Sequence, residues 1–211
     1  GTAVFGRVFA SELTAGTALT NGVNVPLAGV IITVDGREES LRATTDVQGN
    51  FRLEPAPAGE FFVHIDGRTT PLSQYPEGAY YPSVGKRWTG VAGRAVPAPG
   101  GGDIFLPLIR RGTLQPVNPN GATRVAFAPE VVAANPRLSG VEIVVPPNAL
   151  YSENGARGGR VGIAPVAADR LPSPLPPGLS LPLVITVQTD GGQNFDQPVP
   201  ACFPNLPDPV T

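Results

Sequence analysis

One histidine, one cysteine and one lysine stand in a chain of 211 residues, and that inventory bounds the reactions available to it. A serine or cysteine nucleophile activated by imidazole would have to use His64. His64 lies in Glu60-Phe61-Phe62-Val63-His64-Ile65-Asp66. In an extended strand Phe61, Val63 and Ile65 share one face, and Phe62, His64 and Asp66 the other. No nucleophile motif stands beside it, so His64 reads as an exposed or half-packed strand residue, and no catalytic residue is assigned. One His and one Cys do not supply the usual zinc ligand set. Calcium, which needs only oxygen ligands, is the better metal candidate, at the turn-end residues Asp46, Asn50 and Asp66. Against it, the same residues serve ordinarily as turn caps, and no dense Asp-x-Asp-x-Asp spacing occurs. No other cofactor is indicated.

Three further features carry potential chemistry. Cys202 excludes an internal disulfide and reads as an inert, half-buried thiol, with a reactive or intermolecular thiol as the alternative. Lys86, the sole lysine, would be the only donor for an isopeptide cross-link. It falls in the irregular stretch 68–102, so no such bond is expected. Tyr75, Tyr80, Tyr81 and Trp88 fall in the same stretch and offer a platform for a sugar or a protein partner. The competing reading folds these aromatics back over the first domain.

The elements that must position these residues are short strands. Gly and Pro together make up about a quarter of the chain and sit between short apolar runs, so they read as turn punctuation and nearly exclude long helices. Ala3 to Phe9 is the first strand, and Val30 to Val34 the next, closed by Asp35-Gly36. Leu41 to Thr45 and the return at Phe51 and Leu53 read as a hairpin, residues 41–54, around Asp46-Val47-Gln48-Gly49-Asn50. Glu60 to Asp66 follows, and Asp103 to Leu108 closes the domain as an edge strand, because Pro107 cannot donate to a ladder. A boundary near Gly112 divides the chain into 1–111 and 112–211. In the second part, strands are expected at 124–127, 141–145, 160–166 and 183–188. The proline-dense tail from Phe195 to Pro209 has no evident partner strand, so that domain reads as incomplete. The fold class is therefore all-β, in two small sandwich-like domains.

The run Val25-Pro-Leu-Ala-Gly-Val-Ile-Ile-Thr-Val-Asp35, then Thr45-Asp-Val-Gln-Gly-Asn-Phe51, then Pro57-Ala-Gly-Glu-Phe-Phe-Val63, resembles the carboxypeptidase-regulatory-like family. The resemblance covers residues 1–109 and implies a transthyretin-like, seven-stranded β-sandwich that carries no zinc ligands. Gly49 then supplies a positive φ, and Asp46 accepts backbone N–H groups in the turn. Residues 141–205 are similar to a β-rich module of giant bacterial surface proteins, through Val144-Val-Pro-Pro-Asn-Ala-Leu150, Ala164-Pro-Val166, Asp169-Arg-Leu-Pro172 and Phe195 to Asn205. The pairing resembles the stalk of RHS and teneurin-like proteins. It implies that the second domain continues past Thr211.

A net charge of −2 without a basic cluster gives no electrostatic footprint for nucleic acid. No apolar run approaches the roughly 20 residues that span a bilayer. The start at Gly1 reads as a removed signal peptide or a fragment. The reading that unites these features is a non-catalytic structural or adhesive module of a larger secreted or cell-surface protein. Its partners would be other domains of its parent chain, copies of itself, or a glycan or protein ligand. A second reading is a filament subunit assembled by strand donation, with Val4, Phe5, Val8 and Phe9 of the N-terminal run, or the C-terminal tail, as the donated segment. A third is a carbohydrate- or protein-binding module that uses the Tyr75–Trp88 aromatics.

Overall fold

The computed structural model describes residues 1–11, 24–74, 77–152, 154–167, 169–179, 181–190 and 194–205. It is all-β, with one six-residue α-helix and a few single 3-10 turns. The chain divides into two compact units. Unit 1 comprises Gly1–Ile109 with Asp169–Ser180, and unit 2 comprises Arg110–Ala168 with Leu181–Thr211.

Unit 1 contains β1 (Ala3–Ala10), β2 (Ile31–Val34), β3 (Arg42–Thr44), β4 (Asn50–Leu53), β5 (Gly59–Asp66), β6 (Ala79–Tyr80), β7 (Ser83–Gly90), β8 (Ala95–Pro97) and β9 (Asp103–Leu106). β10 (Ile109–Arg110) follows, and its Ile109 is the last residue of this part of unit 1. Of the two larger sheets, one runs β3-β2-β5-β7 and the other is centred on β1, while β6 and β10 form a separate two-stranded ladder. β4 lies antiparallel along one flank of β1, and β8 and β9 follow one another in parallel along the opposite flank. The inner faces share one core that includes Val4, Val8, Ile32, Phe51, Leu53, Val63, Ile65 and Trp88. Alternation along each strand puts these residues inward, which is the sandwich solution for sheets with one apolar face.

The expected hairpin over 41–54 does not form. β3 pairs with β2, and β4 with β1, so the Asp46–Asn50 turn carries the chain from one sheet to the other. The true hairpin is β2–β3, joined through the Asp35-Gly36 turn, with the Val34 N–H donating to the Leu41 carbonyl at 3.0 Å.

The stretch 68–102 is also more regular than its composition suggests. It holds β7, paired with β5 from Gly59↔Gly90 to Asp66↔Ser83. Two glycines hide this strand from propensity, and each answers a spatial need. A Cβ on Gly85 would meet the Phe62 ring at 2.5 Å, and one on Gly90 would meet the Pro57 carbonyl at 2.0 Å.

The 169–179 segment belongs with unit 1 and lies along its β9 edge. The Ser11 hydroxyl donates to the Arg170 carbonyl at 2.7 Å, and the Phe105 N–H donates to the Leu171 carbonyl at 3.4 Å. The Arg170 guanidinium bonds the Ala10 and Ser11 carbonyls and Asn24, and lies 5.2 Å over the Phe105 ring.

Unit 2 contains β11 (Gln115–Pro116), β12 (Thr123–Ala126), α1 (Pro129–Ala134), β13 (Glu142–Val145), β14 (Leu150–Tyr151), β15 (Arg160–Val166), β16 (Val184–Asp190), β17 (Asn194–Phe195) and β18 (Ala201–Cys202). They form ladders β11-β15-β16, β12-β13-β18 and β14-β17 around Val125, Ile143, Val145, Leu150 and Val161. The tail does have partners. Leu150 pairs with Phe195, Glu142 pairs with Cys202, and the Val144 N–H donates to the Pro200 carbonyl at 2.9 Å. Its prolines confine each of these ladders to two residues, too short to be visible as a sequence pattern.

Candidate functional site

The outer face of the β2-β5-β7 sheet gathers the one group of three metal-capable side chains among the described residues: Asp35, Glu38 and His64. β2 ends at Val34, and Gly36 at φ +72° lets the chain reverse, which leaves Asp35 and Glu38 on the turn. The Asp35 N–H donates to the Phe62 carbonyl at 2.9 Å, which anchors the turn to β5. His64 lies between Thr33 and Gly85 in register. The space above Gly85 admits the Phe62 ring, which meets the imidazole edge-on at 5.4 Å and 71°. The His64 Nε2 then lies 2.9 Å from Asp35 Oδ1. Glu38 Oε1 accepts the Gly36 N–H at 2.8 Å. One ligand atom from each of the three side chains lies within 4.8 Å of the other two.

Sequence reasoning passed over this group. It read Asp35 only as a turn residue and sought zinc ligands only among His and Cys, although carboxylates also ligate zinc. The signal was an Asp-Gly-x-Glu turn ahead of the single histidine. The pairing of β2 with β5 that unites them is a long-range register that no local pattern reveals.

The calcium candidates do not converge. The Asp46 carboxylate accepts from Gln48 N–H, Asn50 N–H and Asn50 Nδ2 at 2.9, 2.8 and 3.0 Å. The Asn50 side-chain bond, together with the backbone bonds and against some desolvation, holds the Asp46 carboxyl below its ordinary pKa. Asp66 caps the 3-10 turn after β5 by accepting the Arg68 N–H at 3.0 Å, and it accepts from Arg68 Nε and Nη2 at 2.8 and 2.9 Å. Both carboxylates are thus employed as local caps, and Asn50 turns its amide nitrogen to Asp46.

The aromatic platform is likewise corrected. Trp88 is 2% exposed, Tyr80 5% and Tyr81 0%, so these rings belong to the interior. Trp88 stacks on Phe51 of the opposite sheet at 5.6 Å and 14°, and Phe61 meets it edge-on at 6.4 Å. The inward alternation of β7 puts Trp88 there. Tyr75 lies outside the described residues.

The strand-donation run is also engaged. Val4, Val8 and Phe9 are buried, and Phe5 is 40% exposed on the outer side. β1 is hydrogen-bonded along both flanks, which leaves no free edge to donate.

Cys202 is exposed on β18 rather than half-buried, because its strand lies at the sheet edge. Lys86 sits on a regular strand, on the inward face with Val84 and Trp88, and burial pulls its amine below the ordinary lysine pKa. No helix among the described residues is long and apolar enough to cross a membrane.

No protein-family model matches the chain, and no curated protein matches it. Among solved structures, the TIE protein of Bacillus anthracis aligns at 11% identity and a TM-score of 0.33, over 96% of this chain and 31% of that one. The chain thus spans about a third of that protein's length, at a likeness that sets no family.

Proposed function

We propose that this chain is a non-catalytic structural or adhesive module of a larger secreted or cell-surface protein. One observation carries the reading. Side chains that looked available for chemistry are employed in holding the β framework: Trp88, Tyr80 and Tyr81 in the core, Asp46 and Asp66 in turns. Within this proposal unit 1 is a transthyretin-like sandwich of the carboxypeptidase-regulatory-like kind. Its two larger sheets fill seven positions, four in the β2 sheet and three in the β1 sheet, where β8 and β9 share a flank. Unit 2 is the β-rich module that follows such sandwiches in giant surface proteins. The filament reading loses its N-terminal donor, since β1 is paired on both sides.

Light scattering behind size exclusion, with negative-stain images over a concentration range, tests the proposal. A monomer of 21.8 kDa at every concentration is the expected outcome. Ordered fibres or a concentration-dependent ladder would put self-assembly ahead of the spacer role.

A further inference from the structure

The geometry of the β2–β3 turn points to a zinc site, and we propose that Asp35, Glu38 and His64 bind one Zn²⁺ ion. The donor set suits a borderline cation, with one imidazole nitrogen and two carboxylates, all ordinary zinc ligands. At zinc–ligand distances of about 2.0–2.2 Å, donor atoms on one tetrahedral ion stand about 3.3–3.5 Å apart. Here the His64–Asp35 pair stands at 2.9 Å, and the whole set lies within 4.8 Å. Binding would ask the three side chains to adjust about their terminal torsions by the remaining difference.

The backbone holds the three donors from two directions. Asp35 is fixed to β5 through the Phe62 carbonyl, Glu38 is folded onto its own turn through Gly36, and His64 stands mid-strand with Phe62 against its ring. Asp35 and Glu38 are exposed, so the fourth position of a bound ion would face solvent and be filled by water. Calcium fits poorly, because it asks for six to eight oxygen donors and a third of this set is nitrogen. The ion would tie the β2–β3 turn to β5, whatever larger protein the chain serves.

The single histidine makes the test direct, since the imidazole ¹⁵N spectrum contains one residue. The exposed Cys202 is first replaced by serine to remove a competing thiol. Titration with zinc chloride should then shift the Nε2 resonance saturably at one equivalent. Calorimetry should show affinity falling at least tenfold in both Asp35→Asn and Glu38→Gln, and one-site binding lost in His64→Gln. All four proteins should retain the same circular dichroism. Millimolar calcium should leave the imidazole unshifted. An imidazole indifferent to excess zinc overturns the proposal. So does a zinc affinity that Asp35→Asn and Glu38→Gln leave unchanged, because the histidine would then be acting alone.

Discussion

Lys86 is the side chain whose placement has the largest electrostatic consequence. It points inward from β7, the last strand of its sheet, toward the core that holds Trp88. An inward charge on an edge strand discourages another chain from adding to that edge, because pairing would strip the ammonium of water. Burial lowers its pKa in the folded protein, while in the unfolded chain it titrates near the ordinary ~10.4. Between those values the unfolded chain binds more protons, so the folded state gains stability as pH rises through that window. Lys86→Met should therefore be more stable than the parent at pH 7, and the gap should narrow towards pH 10.5. Urea titrations at several pH values measure it, and a gap independent of pH would refute the account.

Among the elements, the Asp46–Asn50 turn decides the architecture of unit 1, because it moves the chain between sheets. It seats directly on β1: Val8 N–H donates to the Gly49 carbonyl at 2.8 Å. Gly49 has φ +78°, and a Cβ there would stand 2.5 Å from the Val8 carbonyl oxygen. Gly93 has a similar φ of +70° but open space around it. Gly93→Ala should cost only the left-handed backbone penalty, about 1–2 kcal/mol. Gly49→Ala adds a backbone collision and should cost clearly more, read from the urea midpoint of Trp88 fluorescence. The same turn shows what the sequence carries. Asp46-Val-Gln-Gly-Asn50 declares a turn and its cap. Whether the strands on either side then pair with each other depends on distant partners, for β4 the run Val4 to Arg7, paired with Leu53 to Asn50. β2, β5 and β15 were legible from β-branched alternation, and β7 was not, because Gly85 and Gly90 answer to Phe62 and Pro57. The Asp35–Glu38–His64 group was unread for the same reason, since it exists only in the β2–β5 register.

Over the whole molecule, two cores close on different residues, one around Ile32, Ile65 and Trp88, the other around Val125, Ile143 and Leu150. Large-to-small substitution of a buried isoleucine costs about 2–5 kcal/mol. Ile143→Ala should destabilise unit 2 by that amount, visible in far-ultraviolet circular dichroism. The sole tryptophan reports on unit 1, so its fluorescence midpoint should move with Ile32→Ala and stay put with Ile143→Ala. Coincident shifts of both signals in Ile143→Ala would mean a single cooperative unit. Composition foresaw the all-β plan through its spacing of glycine and proline. It did not foresee that 169–179 returns to unit 1, since that return rests on Arg170 reaching Ala10, Ser11 and Asn24, some 150 residues back.

The placement of the only lysine also makes the protein its own sensor of opening. A lysine-specific protease has one scissile bond in the entire chain, Lys86–Arg87, and it lies in the middle of β7 with Lys86 turned toward the core. Such a protease needs an extended, accessible substrate, so cleavage awaits release of β7 from β5. Where reclosing outpaces cleavage, the rate at which two fragments accumulate in native buffer thus measures the fraction of molecules in which that bond is released.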